Sequence, residues 1–517
     1  MLLGYLSDEH FVAISGAQVE LTRGDESLAT VSRASGSIHA EISGRWKMTV
    51  NAPGFGARHY ELDVSPQYQP VQFRLLSSRL AGYMWPKTVP AGGTSEYCIN
   101  SPEGFRLDLY HYGWEKKFIR SYGWCDEHGP QAMRQLLPTG DFTQTGCQWN
   151  RTGYNLEYQR HGITAPEQSG LYGLHLSTMS GEFLSIPWLV TPRKPQEKLA
   201  VLASTLSWNA YNSWGGRSNY FHQAGLPDRP VVCSRQDVGR YTDPDLWPFA
   251  EDETGRPLSF ERPEPAAHIP QQAKITDTIP GRTASCFAPG LWRQVGWLER
   301  EGIPFDLWPE TALEFGDFAL EDYKVLMLDN HPEYCTGQMY HRLKTWVRER
   351  GGRLIYPGGC GFLCEVEFDS RDVVRCRQEC LSTQRGESEA HLLGVAYSHA
   401  GFQSAAPYQV KQADHWVFAG TSLQNGDLFG HASLHERCPG GASGHELDQI
   451  VAESPAGLSH LARGTNSAEA GADLVLYETE SGGAVFSAGS LCWTLALPID
   501  QHVSTITANV LQRFLGG

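Results

Sequence analysis

From Leu199 onward, short apolar runs alternate with helical spacing and Gly-containing turns, and this alternation constrains the chain most. Leu199-Ala-Val-Leu-Ala-Ser-Thr205 is a continuous apolar run, as expected of a strand buried on both faces. Leu291, Val295 and Leu298 fall on one face of a helix that Gly302 ends, and Ile303-Pro-Phe-Asp-Leu307 follows as a strand. Tyr323-Lys-Val-Leu-Met-Leu328 is a further buried strand. Met339, Leu343, Trp346 and Val347 mark the next helix, stopped by Gly351-Gly352, and Arg353-Leu-Ile-Tyr356 is the strand after it. Strand, helix and short turn in this order predict a doubly wound, largely parallel α/β sheet. Residues 365–480 are mixed, and Ala484-Val-Phe-Ser487 with a helix from Val503 to Phe514 closes the fold.

The preceding chain reads as β structure. Ala17-Gln-Val-Glu-Leu21 alternates, two more strands flank Gly44, and Asn51-Ala-Pro-Gly-Phe-Gly56 is a turn cluster. Phe105–Tyr110, Leu171–Leu176 and Phe183–Val190 alternate in the same way, and the polar run Arg193–Lys198 reads as a linker. The expected organisation is multidomain: a small sandwich over 1–76, a second β-sandwich-like domain over 77–195, and the α/β domain over 196–517. The first segment resembles the small transthyretin-like (carboxypeptidase regulatory-like) sandwich, which says little about activity.

Composition narrows the partners. Of 517 residues, 58 are acidic and 42 are Lys or Arg, for a formal net charge of −16. With no basic block, a polyanion would be repelled, so neither nucleic acid nor an anionic membrane is expected. No run approaches the ~18 apolar residues of a membrane span, and MLLGYLSDEHF lacks the features of a secretory signal. The 12 scattered cysteines then read as reduced thiols in a cytoplasmic protein. The spacings Cys360/Cys364 and Cys376/Cys380 do not fit the usual paired-cysteine zinc pattern.

Ligands of open α/β sheets bind beyond the carboxyl ends of the strands. Three loops leave the predicted strands there: Ser207–Tyr220, in which polar residues alternate with large aromatics around Gly215-Gly216; Asp329–Tyr334, with His331 and Glu333 flanking a proline; and Pro357–Phe362, with Cys360 among glycines. They bring Tyr211, Tyr220, His331, Glu333 and Cys360 to one sheet edge. Each also has an ordinary structural reading: an aromatic loop packed on the sheet, a helix N-terminus, and a strand-to-helix turn.

The ordered motifs Trp208-x-Ala-Tyr-Asn-x-Trp-Gly-Gly-x-Ser-x-Tyr220 and His331-Pro-Glu-Tyr334 resemble the large (beta) subunit of N,N-dimethylformamidase. Gly358-Gly359, Gly444-His-Glu-Leu-Asp448 and Phe486-Ser-Ala-Gly-Ser-Leu-Cys-Trp493 fit the same family's C-terminal domain. The resemblance spans about 199–517. It implies a class I glutamine amidotransferase-like domain and a mononuclear Fe(III) held by two tyrosinates and one glutamate, which hydrolyses the C–N bond of a small N-substituted amide. Carried over motif by motif, Tyr211 and Glu333 are ligands. Tyr241, after a stretch similar to the family's Ser-x-x-Arg-Pro-Tyr, is the second tyrosinate, with Tyr220 in reserve. Glu446 and His331 are the acid–base candidates. Trp208, Asn212, Trp214, Cys360, Phe362, His445 and Trp493 are the substrate-pocket candidates.

Three departures stand out: Cys360 replaces an Asn, Arg240 replaces the Pro before the second tyrosine, and the small N-terminal sandwich is additional. The chemistry is coherent beside the resemblance. Phenolate and carboxylate are hard oxygen donors, suited to a highly charged ion, and a free Tyr with a pKa of about 10 needs that ion's charge to ionise.

The runner-up is a metal-free thiol amidase with Cys360 as nucleophile and His331 or His445 as base. A non-catalytic, aromatic-rich binding protein is the third reading. The expected partner is a small amide, in a homo-oligomer, with a small accessory subunit as the alternative.

Overall fold

A computed structural model describes the chain except residues 68–69, 126–136, 150–161, 222–225, 227–228, 233–254, 282–284, 381–385 and 517. Strands dominate, arranged in several sheets. The first two sheets, one of Leu2–Ser7, Ser37–Ala40 and Val71–Arg74 and one of Gln18–Arg23, Glu26–Val31, Gly44–Asn51 and Arg58–Val64, share a core of Leu6, Val19, Met48 and Phe73. Their alternating burial is the in–out pattern that Ala17–Leu21 predicts. A second pair of sheets, which includes Phe105–Tyr112, Gly170–Thr178 and Phe183–Thr191, closes over Leu107, Leu174 and Trp188.

The largest sheet has nine strands. Five run parallel in the order Asp306–Pro309, Leu199–Ala203, Val325–Leu328, Arg353–Tyr356, Ala484–Ser487. Four antiparallel strands from the mixed region extend it: Asp473–Glu478, Ser459–Gly464, Tyr408–Val410 and Leu428–Phe429. The doubly wound expectation therefore holds for the parallel half, and the sheet as a whole is mixed.

Both faces of the parallel half are covered, which is why its strands are apolar without alternation. Leu199, Val201 and Ala203 pack with Leu291, Val295 and Leu298 of the helix Ala288–Arg300. Ala200 and Leu202 pack on the other side with Met339, Leu343 and Val347 of Gly337–Arg350. Thr336 caps that second helix by accepting Met339 N–H, and Gly351 ends it at φ +75°.

Two predicted elements shift. The strand expected over Ile303–Leu307 forms at Asp306–Pro309. The aromatic loop expected after Leu199–Ala203 opens instead as a helix, Thr205–Tyr211, which ends where Asn212 adopts an extended conformation. Among the described residues, no helix is long and apolar enough to cross a membrane, and ten cysteines are buried.

Candidate metal centre

The chain order reverses beside Leu199–Ala203, whose neighbours are Asp306–Pro309 on one side and Val325–Leu328 on the other. Such a reversal leaves a crevice at the carboxyl ends of the strands. The helix Thr205–Tyr211 ends there and presents Tyr211. The chain after Val325–Leu328 presents His331 and Glu333, with Ser207 Oγ donating to the His331 carbonyl at 2.7 Å. Gly358 and Gly359 let the next strand exit close by: a Cβ would stand 2.2 Å from Asn330 O at the first and 2.6 Å from Glu446 O at the second.

One carboxylate organises the group. Tyr211 OH donates to Glu333 Oε2 at 2.7 Å, and Tyr220 OH donates to Glu333 Oε1 at 2.6 Å. Tyr334 OH donates to Tyr220 OH at 2.5 Å and accepts Asn219 Nδ2 at 2.9 Å. The Tyr211 and Tyr220 rings lie 4.4 Å apart. On the far side, His331 Nε2 stands 3.4 Å from Glu333 Oε2 and 2.8 Å from Glu446 Oε2. His331, Glu333 and Cys360 each offer a ligand atom within 4.8 Å of the others.

The centre is dry, and its acidity follows from that. Burial, then the Glu333 charge, pushes both Tyr211 and Tyr220 well above the ordinary phenol range. Burial, partly offset by His331, raises Glu333. For His331, burial works against the charge, but Glu446 and Cys286 outweigh it and hold the imidazole well above its usual value. Burial also opposes the charge on Glu446, yet His331 draws it down to about 2. His331 and Glu446 thus behave as an ion pair.

Two ionisable phenols and a carboxylate, facing one another away from water, form an oxygen donor set that a hard, highly charged cation would satisfy. The pairing of His331 with Glu446 is close but poorly aligned, and both His331 ring nitrogens and Glu446 Oε2 are buried without a well-formed hydrogen bond. The oxygen donors of Tyr211, Tyr220 and Glu333, with this pair beside them to hold water, fit a bound cation by their chemistry.

A second buried cluster, His435, Cys438 and His445, also brings three possible ligand atoms within 4.8 Å. There, His435 Nδ1 accepts the backbone N–H groups of Arg437 and Cys438 at 3.1 Å each. Its Nε2 must therefore carry the proton and has no lone pair for a metal.

The expected site residues divide. Tyr211, Tyr220, His331, Glu333, Cys360 and Glu446 converge. Tyr241 lies outside the described residues. Trp214 packs edge-on against Trp149 at 6.1 Å and His10 at 5.0 Å, in a core away from the carboxylates. Trp493 is buried against Tyr408, Phe429 and Phe486. Asn212 is occupied with backbone, donating to Pro263 O at 2.8 Å. Phe362, at φ +54°, joins the core with Tyr340. Trp208 is buried 6.4 Å from Phe287, which itself meets the Tyr211 ring edge at 6.3 Å. The His445 ring lies tilted against that of His435, with centroids 4.4 Å apart. Aromatic richness alone marks a core as readily as a pocket.

Sequence reasoning missed Tyr334 and Arg262. Tyr334 sits beside Glu333 in the quoted motif, a signal that was available. Arg262 has none: besides the nearby Ser259 carbonyl, it donates to those of Asn209, Trp214 and Arg217, which it reaches only after folding. Two large clefts, of about 930 and 520 Å³, do not include the Glu333 group; Glu9, Lys87 and Trp214 line the first and Trp85, Trp208 and Trp308 the second, so the expected pocket residues Trp214 and Trp208 border these clefts instead.

A family model described as "N,N-dimethylformamidase beta subunit-like, C-terminal" matches residues 106–505. The chain is 23% identical over 509 residues to the N,N-dimethylformamidase beta subunit of Paracoccus aminophilus, covering 83% of this chain and 61% of that one. It is 24% identical over 511 residues to the beta subunit of the same name from an Alcaligenes species, with the same shares covered. The chain thus spans about three fifths of the length of these curated relatives. Among solved structures, a ThuA-like protein from Bacteroides uniformis aligns at 12% identity over 47% of this chain and 87% of that one, with a TM-score of 0.29 that carries no argument.

Proposed function

Since the chain belongs to the N,N-dimethylformamidase beta subunit-like family, we propose that it is an iron-dependent amidohydrolase that cleaves the C–N bond of a small N-substituted amide. The observation that carries this reading is the convergence of Tyr211 and Tyr220 on the two oxygens of Glu333. These three residues would hold the ion; Tyr241, outside the described residues, is the other candidate phenolate. Bound there, Fe(III) would supply charge to polarise the amide carbonyl and to acidify a water.

The remaining steps fall to the chain's own residues. Glu446, kept ionised by His331, is the group to take a proton from the attacking water. His331, kept charged by Glu446, is the group to give one to the departing amine. Tyr334 and Asn219 fix the Tyr220 oxygen through their hydrogen bonds. Phe287 and Trp208 keep water from the Tyr211 side. Burial, and then the neighbouring Glu446 and Glu333, push the Cys360 thiol well above its ordinary range, which weakens the metal-free thiol reading.

We further propose the glutamine amidotransferase-like likeness of the parallel half, domain boundaries near 76 and 195, and a cytoplasmic location. Both curated relatives are named beta subunits, which supports a small accessory subunit beside self-association. The test is metal analysis with a visible spectrum, then a panel of N-alkyl amides. Iron near one per chain with a phenolate charge-transfer band is expected, and Glu333→Gln is expected to lose both the iron and at least ~100-fold of the activity. A Glu333→Gln protein that keeps its iron would overturn the ligand assignment.

A further inference from the structure

Part of what holds the Tyr211–Tyr220 loop comes from the far end of the chain. Gly215 N–H donates to the Glu9 carbonyl at 2.9 Å, and Gly215 O accepts Arg74 Nη1 at 2.9 Å. Both backbone groups of this loop residue are therefore bonded to the first sandwich. Contact is close enough to exclude a side chain: a Cβ on Gly216 would stand 2.3 Å from Phe11 Cβ and 2.9 Å from His10 O. Gly215 and Gly216 have φ values of +99° and +89°, so neither conformation suits another residue.

The grip extends beyond Tyr220. Ala13 N–H donates to Val231 O at 2.8 Å, and Val231 N–H donates to Phe11 O at 3.1 Å. Arg74 is 4% exposed, with its guanidinium 5.0 Å over the Phe11 ring and 4.7 Å over Phe142. On the other side of the loop, Arg217 pairs with Asp141, and Arg262 donates to the Trp214 and Arg217 carbonyls. A loop with two glycines at positive φ and no regular structure after Tyr211 gains its single shape from these buried donors.

We propose that the first sandwich is a brace for the metal centre, with Arg74 as a positioning residue that fixes the turn between Tyr211 and Tyr220. The sandwich is thus part of the catalytic unit, not an appended binding module. Its catalytic meaning rests on the reading of these tyrosines as metal donors.

The experiment uses full-length Arg74→Met and Arg74→Lys proteins. Amide hydrogen exchange is followed in Ser213–Tyr220 and in the strand Val325–Leu328, and iron loss to a chelator is followed by the phenolate band. In Arg74→Met, exchange in the loop should rise on the order of tenfold while the strand is unchanged. Iron should leave faster, with a shifted band, and Arg74→Lys should fall between. Unchanged loop exchange overturns the brace, as does a rise shared equally by the strand, which marks global destabilisation instead. Faster loop exchange with no Glu333-dependent iron supports the brace while removing the metal reading, so the two can fail separately. Should Arg74→Met not fold, Arg74→Lys carries the same comparison.

Discussion

His331 and Glu446 meet at 2.8 Å, imidazole Nε2 to carboxylate Oε2, although one follows a parallel strand and the other lies in the loop ahead of Leu447–Gln449. Each holds the other in its charged form, and neither is among the phenol and carboxylate oxygens proposed to bind iron. Glu446→Gln and His331→Asn should therefore keep iron near the wild-type level and lower kcat by about 10²–10⁴-fold. Metal analysis beside steady-state kinetics checks this. A variant that loses iron and activity together would move that residue into the ligand set.

The hydrogen-bond chain Asn219–Tyr334–Tyr220–Glu333 ranks the phenols. Tyr211→Phe should remove a large part of the visible phenolate absorption. Tyr334→Phe should shift the band and leave its intensity, since it removes only a donor to the Tyr220 oxygen. Tyr220→Phe decides between Tyr220 and Tyr241: loss of intensity assigns Tyr220, and an undiminished band assigns the other.

Cys360 is 3% exposed, held at φ +59°, with its N–H donated to Asp448 Oδ1 at 2.8 Å. A thiol so buried among carboxylates is a poor nucleophile. Cys360→Ala should keep kcat within a few-fold of wild type, with any change appearing in KM; complete loss of turnover in a folded, iron-loaded Cys360→Ala protein would restore the thiol mechanism.

Asp329, in the segment that leads to His331, offers a pH signature. Burial pushes its carboxyl up from 3.8 to about 7, against the Asn330 and Ser204 N–H groups that it accepts. Between those values the folded chain retains a proton that the unfolded chain has released. Stability from this group is therefore greatest at low pH, falls as pH rises through the window by at most about 1.4 kcal/mol per pH unit, and levels off above it. Unfolding midpoints between about pH 4 and pH 8 should show a shallower fall in Asp329→Asn than in wild type. Identical slopes would rule Asp329 out as the source.

The parallel strands could be read directly, because Leu199–Ala203, Val325–Leu328 and Arg353–Tyr356 are buried on both faces and so cannot alternate. The helix Gly337–Arg350 was equally plain, with Thr336 and Gly351 at its ends. Thr205–Tyr211 was not: its seven residues are too few for a period, and contacts from Arg262 and Ser204 set its shape. The four added antiparallel strands were hidden for a similar reason, being short pieces in a Gly-rich region.

Residue chemistry and strand order by themselves determined that Tyr211, Glu333, His331 and Cys360 would share one sheet edge, since apolar periodicity and Gly turns are local properties of the chain. Folding alone decided which phenols reach Glu333, that Glu446 faces His331, and that Trp214 and Trp493 pack into cores. Those outcomes depend on buried arginines and backbone contacts between distant segments, such as Arg74 with Gly215, and such interactions exist only once packing has removed water from between their partners.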